Sequence, residues 1–480
     1  PPAAAPSPTY KESPDHFKEA DGWKVAQPSD SMLRGKWWEI FNEPELNALE
    51  EQLNVSNQNI KQSYENYMVA RALIREARSQ YFPTVITGPA YARSGSSANL
   101  SASSAVRGNS GITTITGQQG SLYDLPVDIM WAPDLWGKVR NTVREFQYGA
   151  QLSAADLANE RLVEQATLAQ IFFEIRGQDE LQRILDATAA ADKQSLELTQ
   201  ARYQTGVDDM LSVVQAQTTL ETVQAQAINA GVARAEFEHA MATLVGRPAS
   251  GFSMPIKPMT TSPPPIPIGL PSQLLERRPD IAAAERSMAA ANAQIGIARA
   301  AYYPTLTLSA SGGLEASTLS NLFAWSSRFW AIGGTLSETL FDAGLRRATV
   351  NQFIATYNGA VAFYRQTVLT ACQQVEDALA SVRILSQQVL QEQLAVESAS
   401  AALRLELSRY ETGVDPYTDV VIAQTALLTN QQTLVAAKVT EMVAAVQLIM
   451  ALGGGWDRSQ LPTPEQVSQK PSKAETGIVH

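Results

Sequence analysis

The chain is short of almost everything on which enzyme chemistry is usually built. It holds one cysteine, Cys372, and three histidines, His16, His239 and His480, in 480 residues. A lone cysteine forms no internal disulfide, and within TACQQVEDAL it reads as a small buried thiol. The histidines lie far apart, so no His–His or His–Cys pair offers a metal site at helical spacing. Neither a phosphate-cradling GxxxxGK[ST] loop nor a dinucleotide GxGxxG, a zinc HExxH or a nucleophile GxSxG is present. Nothing here proposes catalysis, a metal or a cofactor. Positive charge is also in deficit: 37 Lys and Arg against 48 Asp and Glu give a net charge of −11, which argues against a nucleic-acid partner. Long apolar runs are missing too. The best stretch, VTEMVAAVQLIMALGGGW, carries Glu441 and Gln447, and mean hydropathy is −0.14, too polar for a bundle of membrane helices. Membrane strands stay open, because their sequence signal is weak.

What the chain does have is a plan used twice. RYQTGVDD starts at Arg202 and RYETGVDP at Arg409, an offset of 207. The same offset carries Gly137 onto Gly344, Arg140 onto Arg347 and Gly246 onto Gly453. Upstream, Pro83 of YFPTV matches Pro304 of YYPTL at an offset of 221, so copy one holds a 14-residue insertion. It falls in the Gly- and Ser-rich SGSSANLSASSAVRGNSGITTITGQQG, read as a loop tip. Fixed-offset similarity points to a duplicated structural unit.

Each copy reads as helix, strand, loop, strand, long helix, octet, helix. The predicted layout is an N-terminal extended segment over 1–44, a helix over 45–82 and a hairpin over 83–133. A long helix, tip turn and return helix fill 134–246, and a linker with eight prolines fills 247–271. The second copy follows as helix 272–303, hairpin 304–343 and helical unit 344–452, before a C-terminal segment over 453–480. The sequence from Glu45 to Gln80 reads as one unbroken helix. The opening PPAAAPSPTY reads as a mature start after a removed export segment.

The long helices run 65 proline-free residues from Gly137 to Arg202 and 65 from Gly344 to Arg409, roughly 100 Å each at the α-helical rise. Val421, Leu428, Val435, Met442 and Ile449 recur every seven residues, with Val439 and Val446 between; copy one offers Ala216, Val223, Ala230, Phe237 and Leu244. Coiled-coil packing suits such stripes better than an ordinary amphipathic helix. The predicted strands, 83–93, 121–132, 304–314 and 329–341, alternate: Tyr123, Leu125, Val127, Ile129 and Trp131 fall on one face, Asp124 and Asp128 on the other. Their length suits a tilted strand through a bilayer, with Trp131, Trp325, Phe329 and Trp330 as interfacial aromatics. Pro126 and Glu338 are blemishes on that reading, and a half-exposed soluble sheet is the alternative. Four strands cannot close a barrel, and an open edge in lipid leaves backbone groups unpaired, so spanning strands require two, three or four chains to share one barrel.

The octet reads first as a helix–turn–helix. Arg202 and Arg409 favour the carboxyl ends of the long helices, Gly206 and Gly413 fit the left-handed position after them, and Asp208 and Asp415 fit N-caps, with Pro416 at the first helical position. Tyr203, Tyr410, Asp209, Tyr417 and Asp419 crowd beside the arginines, a set able to hold a pore shut when repeated around an axis.

WWEIFNEPELNALEEQ, ARSQYFPTV, DLWGKVR, LPSQLLERRPDIAAAE, IGIARAAYYPTLTLSAS, both octets and ALGGGW together strongly resemble the TolC/OprM-type outer-membrane efflux proteins, in particular the lipoprotein branch that works with RND pumps. The resemblance implies a mainly α chain in which a homotrimer builds a long coiled-coil α-helical barrel and one 12-stranded membrane β-barrel, four strands per chain. It implies a bacterial outer-membrane channel reaching into the periplasm and held in outer-membrane lipid, with a lipid anchor outside this chain. The implied partners are a periplasmic adaptor and an inner-membrane RND pump, with no cofactor. A channel for type I polypeptide secretion shares the architecture, and a non-conducting scaffold or adhesin is a third reading. By position, Tyr410 matches the gate tyrosine and Asp419 a gate acid; Arg202, Arg409, Asp415 and Tyr417 complete the expected gate. A second gate acid is replaced by Ile422. The turns expected to meet the adaptor are Tyr203, Thr205, Gly206, Val207, Asp208 and Asp209, and Thr412, Gly413 and Val414. Arg277, Arg278, Asp280 and Glu285 read as structural pairing.

Overall fold

The structure, a computed structural model, describes residues 35–95, 105–108, 111–114, 120–266 and 274–470. In chain order the elements are α1 (Pro44–Ser56), α2 (Gln58–Ser79), β1 (Thr84–Thr87), β2 (Ala90–Ser94), β3 (Ala105–Gly108), β4 (Gly111–Thr114), β5 (Gly120–Trp131), α3 (Lys138–Gln204) and α4 (Met210–Leu244). Then come α5 (Leu274–Arg277), α6 (Pro279–Ala300), β6 (Thr305–Ala316), β7 (Arg328–Ser337), α7 (Leu345–Glu411), α8 (Tyr417–Ala451) and α9 (Pro464–Val467). The described chain divides into two compact units. One takes Ala70–Gly149 and Met288–Gly359; the other takes Ala150–Ser287, the residues before Ala70 and those from Ala360 on.

The expected single helix from Glu45 to Gln80 is broken, and the reason is a hydrogen-bond exchange. At Asn57 the backbone turns extended, and the side chain donates Nδ2 to the Leu244 carbonyl at 3.0 Å, beside the end of α4. Copy two breaks its helix at Arg278, the residue 221 positions on, whose Nη1 donates to the Ala451 carbonyl at 2.9 Å, 207 positions on from Leu244. Each break thus satisfies a carbonyl that the return helix leaves orphaned at its end. Gly246 and Gly453 close the same joints with φ of +67° and +94°, and a Cβ on either would strike a carbonyl oxygen, of Ser56 or of Arg277. Gly453→Ala is therefore expected to destabilise by about 2 kcal/mol. Gly149→Ala, on an open helical site, should stabilise by about 1 kcal/mol. Comparative thermal unfolding in detergent checks both.

The larger core brings Trp37, Trp38 and Phe41 of a short 3-10 turn onto Phe172 and Phe173 of α3, together with Met442, Val446 and Ile449 of α8. The seven-residue stripe faces inward as expected: Leu428, Val435, Met442 and Ile449 are buried, as are Ala216, Val223 and Ala230. The apolar stretch of α8 is 56% buried in the protein, which makes it a core helix. Cys372 is half-buried against the same core.

The Pro-rich linker is not loose where it passes Asp179. That side chain, fully buried, takes Arg234 Nε at 2.6 Å, Arg176 Nη1 at 3.3 Å and the Lys257 amide at 3.0 Å. The same arginines donate to the Pro255 and Met254 carbonyls at 2.8 and 3.0 Å, and Arg176 pairs with Glu45. An extended segment without its own ladder has its backbone groups satisfied by side chains instead.

In the other unit β1 and β2 together face β5, β5 pairs β6, and β6 pairs β7, all antiparallel. Four strand positions result, with the β5–β6 ladder joining the two copies. Register carries the apolar face across the sheet: Ile129 meets Ala310 and Ile332, and Val127 meets Gly312 and Trp330. Asp124 stands opposite Glu315 on the other face. Among the described residues nothing covers the apolar face; Trp330 and Ile332 are each 79% exposed. Both blemishes resolve. Pro126 sits opposite Gly313, which has no Cβ to meet the Leu125 carbonyl and the proline ring's backbone. Glu338 lies outside the sheet, since β7 ends at Ser337 where the sequence reading ran on to 341. There Arg346 draws the Thr339 carbonyl at 2.6 Å, while Asp342 caps the amides of Gly344 and Arg346 and starts α7. The inserted loop of copy one carries a small hairpin of its own, β3 with β4. The flanking residues 96–104 and 115–119 lie outside the described ones.

Candidate functional site: the helical tip

Both long helices end in the same backbone motif. Gly206 and Gly413 adopt φ of +73° and +75°. Val207 and Val414 donate their amides to the Arg202 and Arg409 carbonyls, each at 2.9 Å, and the glycine amides bond to Tyr203 and Tyr410. This double bond is the Schellman closure, and it accounts for the Gly–Val of both octets. The Thr205 and Thr412 hydroxyls add a second hydrogen bond to the carbonyls one turn back, at Ala201 and Ser408.

The N-cap expectation is off by one residue in each turn. Asp209 caps α4, accepting the Ser212 amide at 3.0 Å, and α8 starts after Pro416 with no side-chain cap. The reason is that Asp208 and Asp415 are engaged elsewhere. Asp415 pairs with Arg409 of its own turn, an exposed pair. Asp208 reaches across to copy two and accepts the Tyr410 hydroxyl, with Arg202 Nε at 3.4 Å. Arg202 lies over the Tyr410 ring, 4.7 Å from its centroid, and donates to the Glu411 carbonyl at 3.0 Å. Tyr410 in turn packs edge-on to Tyr417, centroids 5.2 Å apart. A small core of Ala216, Tyr410, Tyr417 and Val420, with Leu196, Leu403 and Leu407 against it, draws the four helices together.

Charge follows this wiring. Burial pushes Asp208 upward, but hydrogen bonds from Tyr410, Ser212, the Asp209 amide and Arg202 outweigh it and hold the carboxyl below its usual range. Burial and Asp208 hold the Tyr410 phenol well above its own. The Arg409 hydrogen bond keeps Asp415 low. Both pairs therefore persist to below pH 3.8, the ordinary carboxylate value.

The structure brings together Arg202, Asp208, Tyr410 and Tyr417, and separately Arg409, Asp415 and Asp419. It leaves Tyr203 exposed and outside the cross-link. Glu406, one turn before Arg409, was missed; one carboxylate oxygen from each of Glu406, Asp415 and Asp419 lies within 4.8 Å of the others. Its only sequence signal was helical spacing from the octet. Val207, Met210, Leu211 and Val214 form an exposed apolar row on turn one, with Val414 exposed on turn two and Ile422 exposed on α8.

Two 67-residue helices, a four-position sheet whose apolar face is uncovered among the described residues, and a cross-linked tip fit a channel component of the outer-membrane exporter type. The chain belongs to the outer membrane efflux protein family, whose model matches residues 49–247 and 270–454. It is 31% identical over 445 residues to the solvent efflux pump outer membrane protein SrpC of Pseudomonas putida, covering 92% of each chain. To the outer membrane protein OprJ of Pseudomonas aeruginosa it is 30% identical, over 95% of this chain and 94% of that one. Among solved structures it superposes on the outer-membrane channel OprN with a TM-score of 0.79 at 26% identity, over 90% of this chain and 96% of that one. On VceC of Vibrio cholerae the TM-score is 0.77 at 26% identity, over 87% and 98%. It is an outer-membrane efflux protein.

Proposed function

We propose that three copies of this chain form one exit duct, sharing a twelve-stranded barrel in the outer membrane and a helical tunnel whose tip is gated. The observation that carries this is the sheet. Among the described residues its outer strands pair on one side only, and its apolar face is uncovered. In lipid an open edge costs several kcal/mol per unpaired group. Joining identical sheets edge to edge removes that cost, and three copies is the number the family resemblance implies.

The duct conducts passively, and its cargo is small and apolar or amphiphilic, as the toluene, solvent and antibiotic pumps of the relatives suggest. A periplasmic adaptor meets the exposed Val207, Met210, Leu211 and Val214 row and the Val414 turn, and an inner-membrane pump supplies energy. The cross-link from Asp208 to Tyr410 holds the tip closed until then. The full chain, purified in detergent and reconstituted in planar bilayers, should show discrete conductance steps and run as a trimer by light scattering. A compact monomer without conductance would refute the reading. Ile332→Arg, on the apolar face, should cost about 2–4 kcal/mol in lipid and sharply reduce the membrane-inserted fraction. Fractionation after expression measures this.

A further inference from the structure

Upstream of Arg202 on α3, Asp192 is only 2% exposed within a single protomer, and neither of its carboxylate oxygens has a hydrogen-bond partner. Facing it from α8 is Tyr417, equally buried, with its hydroxyl unpartnered. Two turns along α8, Gln424 donates Nε2 to Ser195 Oγ at 3.3 Å, which leaves the Gln424 amide oxygen unpartnered as well. Among the described residues no hydrogen-bond donor is placed on the Asp192 carboxylate in the buried space between α3 and α8. A bare carboxylate there is costly, whereas the neutral acid buries no charge.

We propose that Asp192 is a buried proton-binding site, and that its protonated form holds the tip closed. The proposal rests on reading the tip as a gate, and it adds a regulator that the cross-link does not contain. Tyr417 is the coupling element. It faces Asp192 at one end and packs on Tyr410 at the other, and Tyr410 is held by Asp208. A charge on Asp192 draws water or a cation into the pocket and unseats Tyr417, and the Tyr410 ring loses its support.

Burial pushes Asp192 up to about 6. Lys193 and Glu197 beside it on α3 are exposed. Burial and then the Asp192 charge push Tyr417 up to about 12, so the phenol stays neutral throughout. The sign follows. The closed state binds the proton more tightly than a solvated carboxyl, whose value is 3.8. Closure is strongest below that value and weakens as pH rises through about 6. Between pH 5 and 7 the closed-to-open ratio falls about tenfold per site if opening solvates Asp192. Asp208 and Asp415 titrate below this window and do not contribute.

The test compares the wild-type channel with Asp192→Asn at pH 5 and pH 7, by opening frequency in planar bilayers and by thermal unfolding in detergent. Wild type should open about tenfold less often, and melt higher, at pH 5. Asp192→Asn should behave at both pH values like wild type at pH 5, while Glu197→Gln, at an exposed carboxylate of the same helix, keeps the wild-type response. An Asp192→Asn protein whose opening and melting still follow pH as wild type does would overturn the proposal and leave the conduit reading intact. If no variant conducts, the conduit reading fails, and the melting comparison still decides the protonation of Asp192. Wild type alone gives a further check: an infrared band of a buried carboxylic acid should vanish with a midpoint near 6. Its absence at pH 5 would also overturn the proposal.

Discussion

Asp179→Ala is expected to cost about 3–5 kcal/mol, because it removes one partner of a buried ion cluster and leaves the others charged. Arg176 and Arg234 both point at this carboxylate, and the side chain has no exposure of its own. The loss also frees the Lys257 amide, so the linker from Met254 to Lys257 loses a tie while two guanidinium groups keep pulling on its carbonyls. Thermal unfolding in detergent should show a large drop, and limited proteolysis should cut in the linker. Asp179→Asn, which keeps an acceptor but not the charge, should fall between. A melting temperature for Asp179→Ala within a degree or two of wild type would mean the cluster is solvated.

Asp208→Ala should raise tip opening roughly tenfold. The carboxylate accepts the Tyr410 hydroxyl and faces Arg202, and losing hydrogen bonds to a charged group costs about 1–2 kcal/mol here, discounted for its partial exposure. Tyr410→Phe should give a similar gain by removing the other end of the same bond. Asp415→Ala is the control. It stands at the corresponding place in the second octet, yet its pair with Arg409 is exposed and screened, so opening should scarcely change. Single-channel recording checks all three. Equal effects from Asp208 and Asp415 would show that the cross-link between the copies is not what holds the tip.

Much of this fold is legible in the sequence because the repeat supplies an internal comparison. Helix lengths, the seven-residue stripe and the alternation of β5 and β6 follow from local periodicity, and the structure places them within a few residues. What is not legible depends on contacts between distant segments. The helix breaks at Asn57 and Arg278 arise from carbonyls 187 and 173 positions away, which no local pattern signals. Pro126 reads as a defect until Gly313 is placed opposite it. In the tip, the octets give the turn geometry but not the asymmetry. Nothing in RYQTGVDD says that its first aspartate crosses to a tyrosine of the other copy, while RYETGVDP keeps its aspartate at home. Asp192, Ser195 and Gln424 carry no motif at all, and only their burial together exposes them.

The matched joints at Gly246 and Gly453 have a consequence for the origin of the chain. Each is made wholly within its own half: Asn57 with Leu244, Arg278 with Ala451. A progenitor gene of half the length would already have encoded this clasp without borrowing an atom from a sister segment. The Asp179 cluster has no such match, since the residue 207 positions on is Ser386.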